Sequence, residues 1–263
     1  MTDLDRAGYE LVLDEQFSSA DLDSRIWLPY HLPHWSSRER SAARYRLTGG
    51  QLELLIEEDQ EAWYPDGDGW TRLSTLQSGE FAGERGSTVG QHRFKPTLTV
   101  REAQQNVALF TPIHGLIECR ARAIADPANM VALWMIGYEE VPEHSSEICV
   151  FEIMGGHISS DGTRVGMGVH PHHDPAITDD FERVPVAIDA SEWHTYAAKW
   201  TSHGVEFFVD DQLVKRVNQS PDYRMQLMLT AFEFCDGPEP ASSADAYPKR
   251  FGVDWLRYWR IPD

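Results

Sequence analysis

Glu147 and Glu152 lie five residues apart in the run EICVFEIMGG, with Cys149 between them. The rest of the segment reads as a core strand, with Ile148, Val150, Phe151 and Ile153 and no turn former before Gly155. A carboxylate taken out of water without a partner is costly, so two of them in such a run need a reason. In a regular strand side chains alternate between faces, which would leave each glutamate among apolar neighbours on opposite sides. One β-bulge near Phe151 shifts the alternation by a residue. Glu147, Cys149 and Glu152 then share one face, and Ile148, Val150 and Ile153 take the other.

Two carboxyl groups on one strand face can carry out double displacement at a sugar's anomeric carbon, one as nucleophile and the other as acid and then base. The first must stay ionised while the second holds a proton. Repulsion between the two and partial burial both raise the pKa of the second. The same spacing also fits an outer strand that simply shows both glutamates to water.

The elements that would position this pair are strands. YELVLDEQF, GQLELLIEE, HGLIECRARAI, MVALWMIG, EICVFEIMG and RVGMGVH are rich in β-branched and aromatic residues and bounded by turn formers. So are WHTYAAKW, GVEFFVDDQLVKRV, RMQLMLTAFEF and FGVDWLRYWRI. Within them, Asp210-Asp211 between two apolar runs predicts a hairpin. Long amphipathic helices are missing, so the pattern implies antiparallel sheets, stacked as a sandwich or closed as a barrel, in one domain over residues 1–263. Residues 28–46 and 63–101 read as long loops of the kind that build binding surfaces.

A net charge of −19 argues against nucleic acid or an anionic membrane as partner and is compatible with a neutral ligand such as a sugar. Three cysteines, none in a C-x-x-C pair, argue against a disulfide framework or a structural zinc site. The start MTDLDRAGYELVLDEQF lacks the basic and apolar regions of a signal peptide, and no apolar run approaches the roughly 18 residues of a membrane span. A cytoplasmic monomer is expected, or a secreted one if a leader has been removed.

The neighbouring sequence adds a family. SSEICVFEIMGG resembles the bulged E-[IL]-D-x-x-E signature of glycoside hydrolase family 16. HGLIECRARA, MVALWMIG, EWHTYAAKWTSHGVEFFVDDQLV, VDWLRYWR and LDEQFSSADLDSRIW are similar to five further segments of that family, in the same order. The resemblance implies an all-β fold, a β-jelly-roll sandwich of two curved antiparallel sheets with a concave sugar-binding cleft. It implies a retaining endo-glycosidase with Glu147 as nucleophile and Glu152 as acid/base, needing no cofactor for catalysis. The bulged spacing and the WMIG and W-H-T-Y segments look most laminarinase-like, which makes a β-1,3-glucan the first substrate and a red-algal galactan the second.

Two departures from the family stand out. Cys149 takes the place of the aspartate that lies beside the nucleophile, and a neutral thiol is a weak donor. A catalytically impaired carbohydrate-binding protein is therefore one alternative, and a transglycosylase another. Thr230 stands where the family has an asparagine, ahead of Glu233 near the leaving-group side of the cleft. The resemblance further implies Trp134 and His170 as cleft residues, Trp35, Arg38 and Arg40 on a loop bordering the cleft, and a structural calcium held by Asp254 and Gly50. His170, His172, His173 and Asp174 are metal-ligating types, but Pro171 inside the run and the lack of a second cluster weigh against a metal there.

Overall fold

The computed structural model describes residues 3–262. In chain order the strands are β1 (Glu10–Glu15), β2 (Arg44–Leu47), β3 (Leu52–Ile56), β4 (Arg72–Gln77), β5 (Gly79–Glu80) and β6 (Val107–Ala108). They continue as β7 (Gly115–Arg122), β8 (Asn129–Gly137), β9 (Glu147–Met154), β10 (Ile158–Ser159), β11 (Gly162–His170) and β12 (Asp180–Val186). The last five are β13 (His194–Thr201), β14 (Gly204–Val209), β15 (Gln212–Val217), β16 (Met225–Glu233) and β17 (Lys249–Arg260).

Two antiparallel sheets form a jelly-roll sandwich. One has the order β15-β14-β13-β7-β17-β3-β2 with β1 added along β17; the other has β10-β11-β9-β8-β16-β4 with β12 added along β11. Alternation decides which side chains enter the core between them. On β8, Val131, Leu133 and Met135 point inward, as do Val165, Met167 and Val169 on β11 and Leu227, Leu229 and Ala231 on β16. They meet Tyr196, Trp200, Phe207 and Phe251 from the opposite sheet.

β9 keeps to this scheme only because it carries an extra residue. Consecutive residues Leu133 and Trp134 pair with Phe151 and Cys149, so Val150 has no partner on β8. Toward β11 the same step appears, with Gly166 opposite Glu152 and Gly168 opposite Cys149. Ile148, Val150, Phe151 and Ile153 all lie in the core, and Phe151 packs against Tyr196 with ring centroids 4.5 Å apart. Glu147, Cys149 and Glu152 are left together on the outer face, as the spacing predicts.

The hairpin at Asp210-Asp211 also forms, both residues in the left-handed region that a tight turn between twisted strands demands. Residues 63–101 are not one loop, because β4 and β5 lie within them. β4 reads RLSTLQ, and its polar residues hide a strand that is buried throughout. β12 was equally unmarked: DFERVPV is charged, half-exposed and carries Pro185, which an edge strand tolerates.

Deleting Val150 would restore simple alternation and leave both glutamates on the outer face. The variant is expected to fold cooperatively with a loss of roughly 1.5–3 kcal/mol, the value of one buried valine, in urea unfolding. A chain that no longer unfolds cooperatively would show that the bulge itself holds β9 in place.

Candidate active site

Outside the seven-stranded sheet lies a cavity of about 310 Å³ lined by Glu147, Cys149 and Glu152 of β9, Met130, Ala132 and Trp134 of β8, and Phe232 of β16. His92, His170 and His172 close its other sides. Gly166 clears room beside Glu152, since a Cβ there would sit 2.5 Å from the Phe181 ring and 3.2 Å from the Glu152 Cβ. A larger depression of about 600 Å³ beside the β10–β11 turn offers one carboxylate, Asp161, and no aromatic ring wider than an imidazole.

Each glutamate has its own electrostatic surroundings. The Cys149 thiol donates to Glu147 Oε1 at 2.7 Å, and His172 Nε2 lies 3.0 Å from Oε2. Burial alone would push the Glu147 carboxyl upward. The His172 hydrogen bond, the two nearby imidazoles and the thiol outweigh burial and bring it down to about 2. Burial and the Glu147 charge push the Cys149 thiol well above its ordinary value, so it stays a proton donor.

Glu152 differs in sign. Burial raises its pKa, the Glu147 charge adds to the rise, and a hydrogen bond from Arg183 Nη2 at 2.9 Å opposes it without cancelling it. The five-residue step thus gives one carboxylate held ionised and one held toward the acid. Such opposed proton affinities mark acid/base pairs.

Loops from the first third of the chain cover the rest of this face. Leu32, Trp35, Trp63, Leu98 and Val100 pack with Ala132, Trp134 and Met228 in a second apolar cluster on the outer side of the sheet. The turn before His92 is anchored by Gln91, whose side-chain amide donates to Gly137 O at 3.1 Å and Gln226 Oε1 at 2.8 Å. The His92 amide donates to Glu139 Oε1 at 2.6 Å, and burial pushes that carboxyl up to about 8. Burial and His172 lower the His92 imidazole to about 4, so it is neutral at pH 7.

Residues 84–257 match the sequence profile of glycosyl hydrolases family 16. The chain belongs to that family. Among solved structures it is similar to a GlcNAcα1-4Gal-releasing endo-β-galactosidase from Clostridium perfringens, 28% identical with a TM-score of 0.81, covering 99% of this chain and 65% of that one. It thus spans about two thirds of that enzyme's length. It is also similar to laminarinases from Thermotoga maritima (18%, TM-score 0.67, covering 97% and 99%) and Flavobacterium sp. UMI-01 (17%, TM-score 0.64, covering 95% and 100%). No curated protein matches its sequence.

In this family 16 chain some of the expected cleft residues line the cavity and others do not. Trp134 reaches the cavity, although it is only 6% exposed and its indole N–H donates to Thr230 Oγ1 at 3.0 Å. Thr230, standing where an asparagine was expected, anchors that indole. His170 lines the cavity, stacked on Phe181 and 2.8 Å from Asp179. Trp35, however, is fully buried and donates to Gln91 O at 2.8 Å, so it holds the His92 turn and does not line the cavity. Arg38 bonds Gln104 at 2.7 Å across the Tyr30 ring, and Arg40 bonds Ala62 O at 3.1 Å. Neither lines the cavity.

Glu233 does not line the cavity either: it is fully buried, bonded by Tyr247 Oη at 2.6 Å and 3.6 Å from Arg72. The expected calcium site does not fit either. Asp254 is paired with the Arg120 guanidinium and takes a hydrogen bond from Gln51 at 3.3 Å, so a cation already occupies its charge. His92, His172 and Arg183 had no signal as partners of the two glutamates. Their sequence distance from Glu147 and Glu152, and the unmarked β12 that carries Arg183, concealed them.

Trp35→Ala is expected to cost about 3–5 kcal/mol of stability by thermal or urea unfolding. Arg38→Ala and Arg40→Ala should change ligand affinity by no more than about 0.5 kcal/mol in a binding titration. A large loss of affinity in either arginine variant would put that loop back at the cleft.

Proposed function

We propose that the chain is a retaining endo-glycosidase acting on a β-galactosidic bond. The observation that carries the reaction is the pair on the outer face of β9, Glu147 drawn down to about 2 and Glu152 raised by burial above its ordinary value. In the first step Glu147 attacks the anomeric carbon while Glu152 gives its proton to the departing glycosidic oxygen. A glycosyl-enzyme ester and a free hydroxyl result. In the second step Glu152, now ionised, takes a proton from water, whose oxygen displaces Glu147 and restores both groups.

Cys149 acts here as a protonated donor to Glu147 Oε1. It keeps that oxygen in place and helps hold the carboxylate ionised, two tasks that do not require an aspartate. This favours an active enzyme over a binding protein. The β-galactosidic reading rests on the 28% identity to the Clostridium perfringens enzyme over 99% of this chain. A β-1,3-glucan, the first expectation from the motifs, is supported by likenesses of 17–18%, which carry fold alone.

Incubation with β-galactosyl, β-1,3-glucosyl and mixed-linkage oligosaccharides, followed by mass spectrometry, separates the readings. Cleavage at a β-galactosyl residue is expected, reduced about a thousandfold or more in Glu147→Gln. Cleavage of glucans alone would move the substrate; lengthened products would mean transfer. Binding without product from every oligosaccharide would overturn the enzyme reading.

The pH profile gives a second test. Arg183 favours the ionised form of Glu152, so Arg183→Met raises that pKa and keeps the acid protonated to higher pH. The alkaline limb of kcat/KM should move upward; a downward shift would remove Glu152 from the acid role.

A further inference from the structure

We propose that His92, His172 and Glu147 form a binding site for a divalent transition-metal ion, zinc being the first candidate. His172 Nε2 is 3.0 Å and His92 Nδ1 4.0 Å from the same oxygen, Glu147 Oε2, and the three donor atoms all lie within 4.8 Å of one another. A tetrahedral zinc ion with bonds of about 2.0–2.1 Å needs donor separations of about 3.3 Å. Small side-chain adjustments reach that. Two imidazoles and a carboxylate are also a donor set that zinc takes in preference to calcium or magnesium.

Four further features point at a ligand. The Cys149 thiol engages Oε1, which leaves Oε2 turned toward both imidazoles. His92 Nδ1 is buried and has no hydrogen-bond partner among the described residues. A buried nitrogen left without a partner is costly, and a metal ion would satisfy it. The ring itself is held in place, edge-on to Trp134 with centroids 5.1 Å apart and to His172 at 4.6 Å. The adjoining cavity leaves room for water or a sugar hydroxyl as fourth ligand.

Other histidine pairs, such as His194 with Asp210 and His114 with Asp222, bring a single imidazole to a single carboxylate. Only the cleft gathers two imidazoles on one oxygen among the described residues. Zinc there would hold the lone pair that the proposed nucleophile must use. Binding should therefore inhibit the glycosidase reaction in competition with substrate, and this consequence rests on the function proposed above.

Metal-free protein is titrated with zinc chloride by calorimetry, without any glycan. One ion per chain is expected, with affinity falling at least about tenfold in His92→Ala and in His172→Gln. In the unaltered protein, the imidazole 15N resonances of His92 and His172 should shift with zinc while that of His194 does not. No saturable binding, or binding that neither variant weakens, overturns the site. Zinc bound through both histidines in a protein that cleaves no glycan would leave the metal site standing and defeat the proposed function. Cleavage undisturbed by saturating zinc would mean that the ion is not on Glu147.

Discussion

At Val150 the strand that crosses the middle of the cleft has one residue more than its neighbours on either side. Strand periodicity forces a choice of face on every side chain, and this extra residue reverses the choice part-way along β9. Before it, Glu147 and Cys149 face outward; after it, Glu152 does so again. Without the step, a five-residue interval would bury one of the two carboxylates among Phe207, Tyr196 and Phe251 in the core. The bulge thus reconciles a well-packed sandwich with two acids on a single surface.

What surrounds the two acids then sets them apart. Glu147 has a thiol bonded to one oxygen, an imidazole to the other and a second imidazole 4.0 Å away. Glu152 is half-buried, and Arg183 and His170 together are too little to offset burial and the charge of its neighbour. The donors come from far along the chain. His92 arrives on a loop braced by Gln91 and Trp35, and Arg183 on an edge strand that pairs with β11. Much of the outer apolar cluster serves this bracing, which is why so large an aromatic surface near the cavity is closed to ligand.

The fold and the face shared by the two glutamates are legible in the sequence because their signals are local. Alternation within EICVFE exposes the bulge, and most of the family motifs fall on observed strands. Trp134 and His170 line the cavity for the same reason, lying on strands adjacent to β9. The loop residues were misjudged because composition does not say which way an aromatic points. Trp35, expected on a loop bordering the cleft, is a fully buried brace, while Arg38 and Arg40 bond Gln104 and Ala62 of other segments. Asp254 was read as a cation ligand because nothing in its strand reveals Arg120, which meets it across β7 and β17. Among its chain neighbours His172 looks like one of a local histidine run, whereas its partner His92 lies on a distant loop.

The central claim is that two carboxyl groups on one face of β9 have opposed proton affinities. Carboxyl 13C NMR titration of the glutamate-labelled protein measures both directly, with Glu147→Gln and Glu152→Gln used for assignment. Glu147 should titrate near 2 and Glu152 above the ordinary glutamate value of 4.5. Two ordinary values, or the reverse order, would contradict the account.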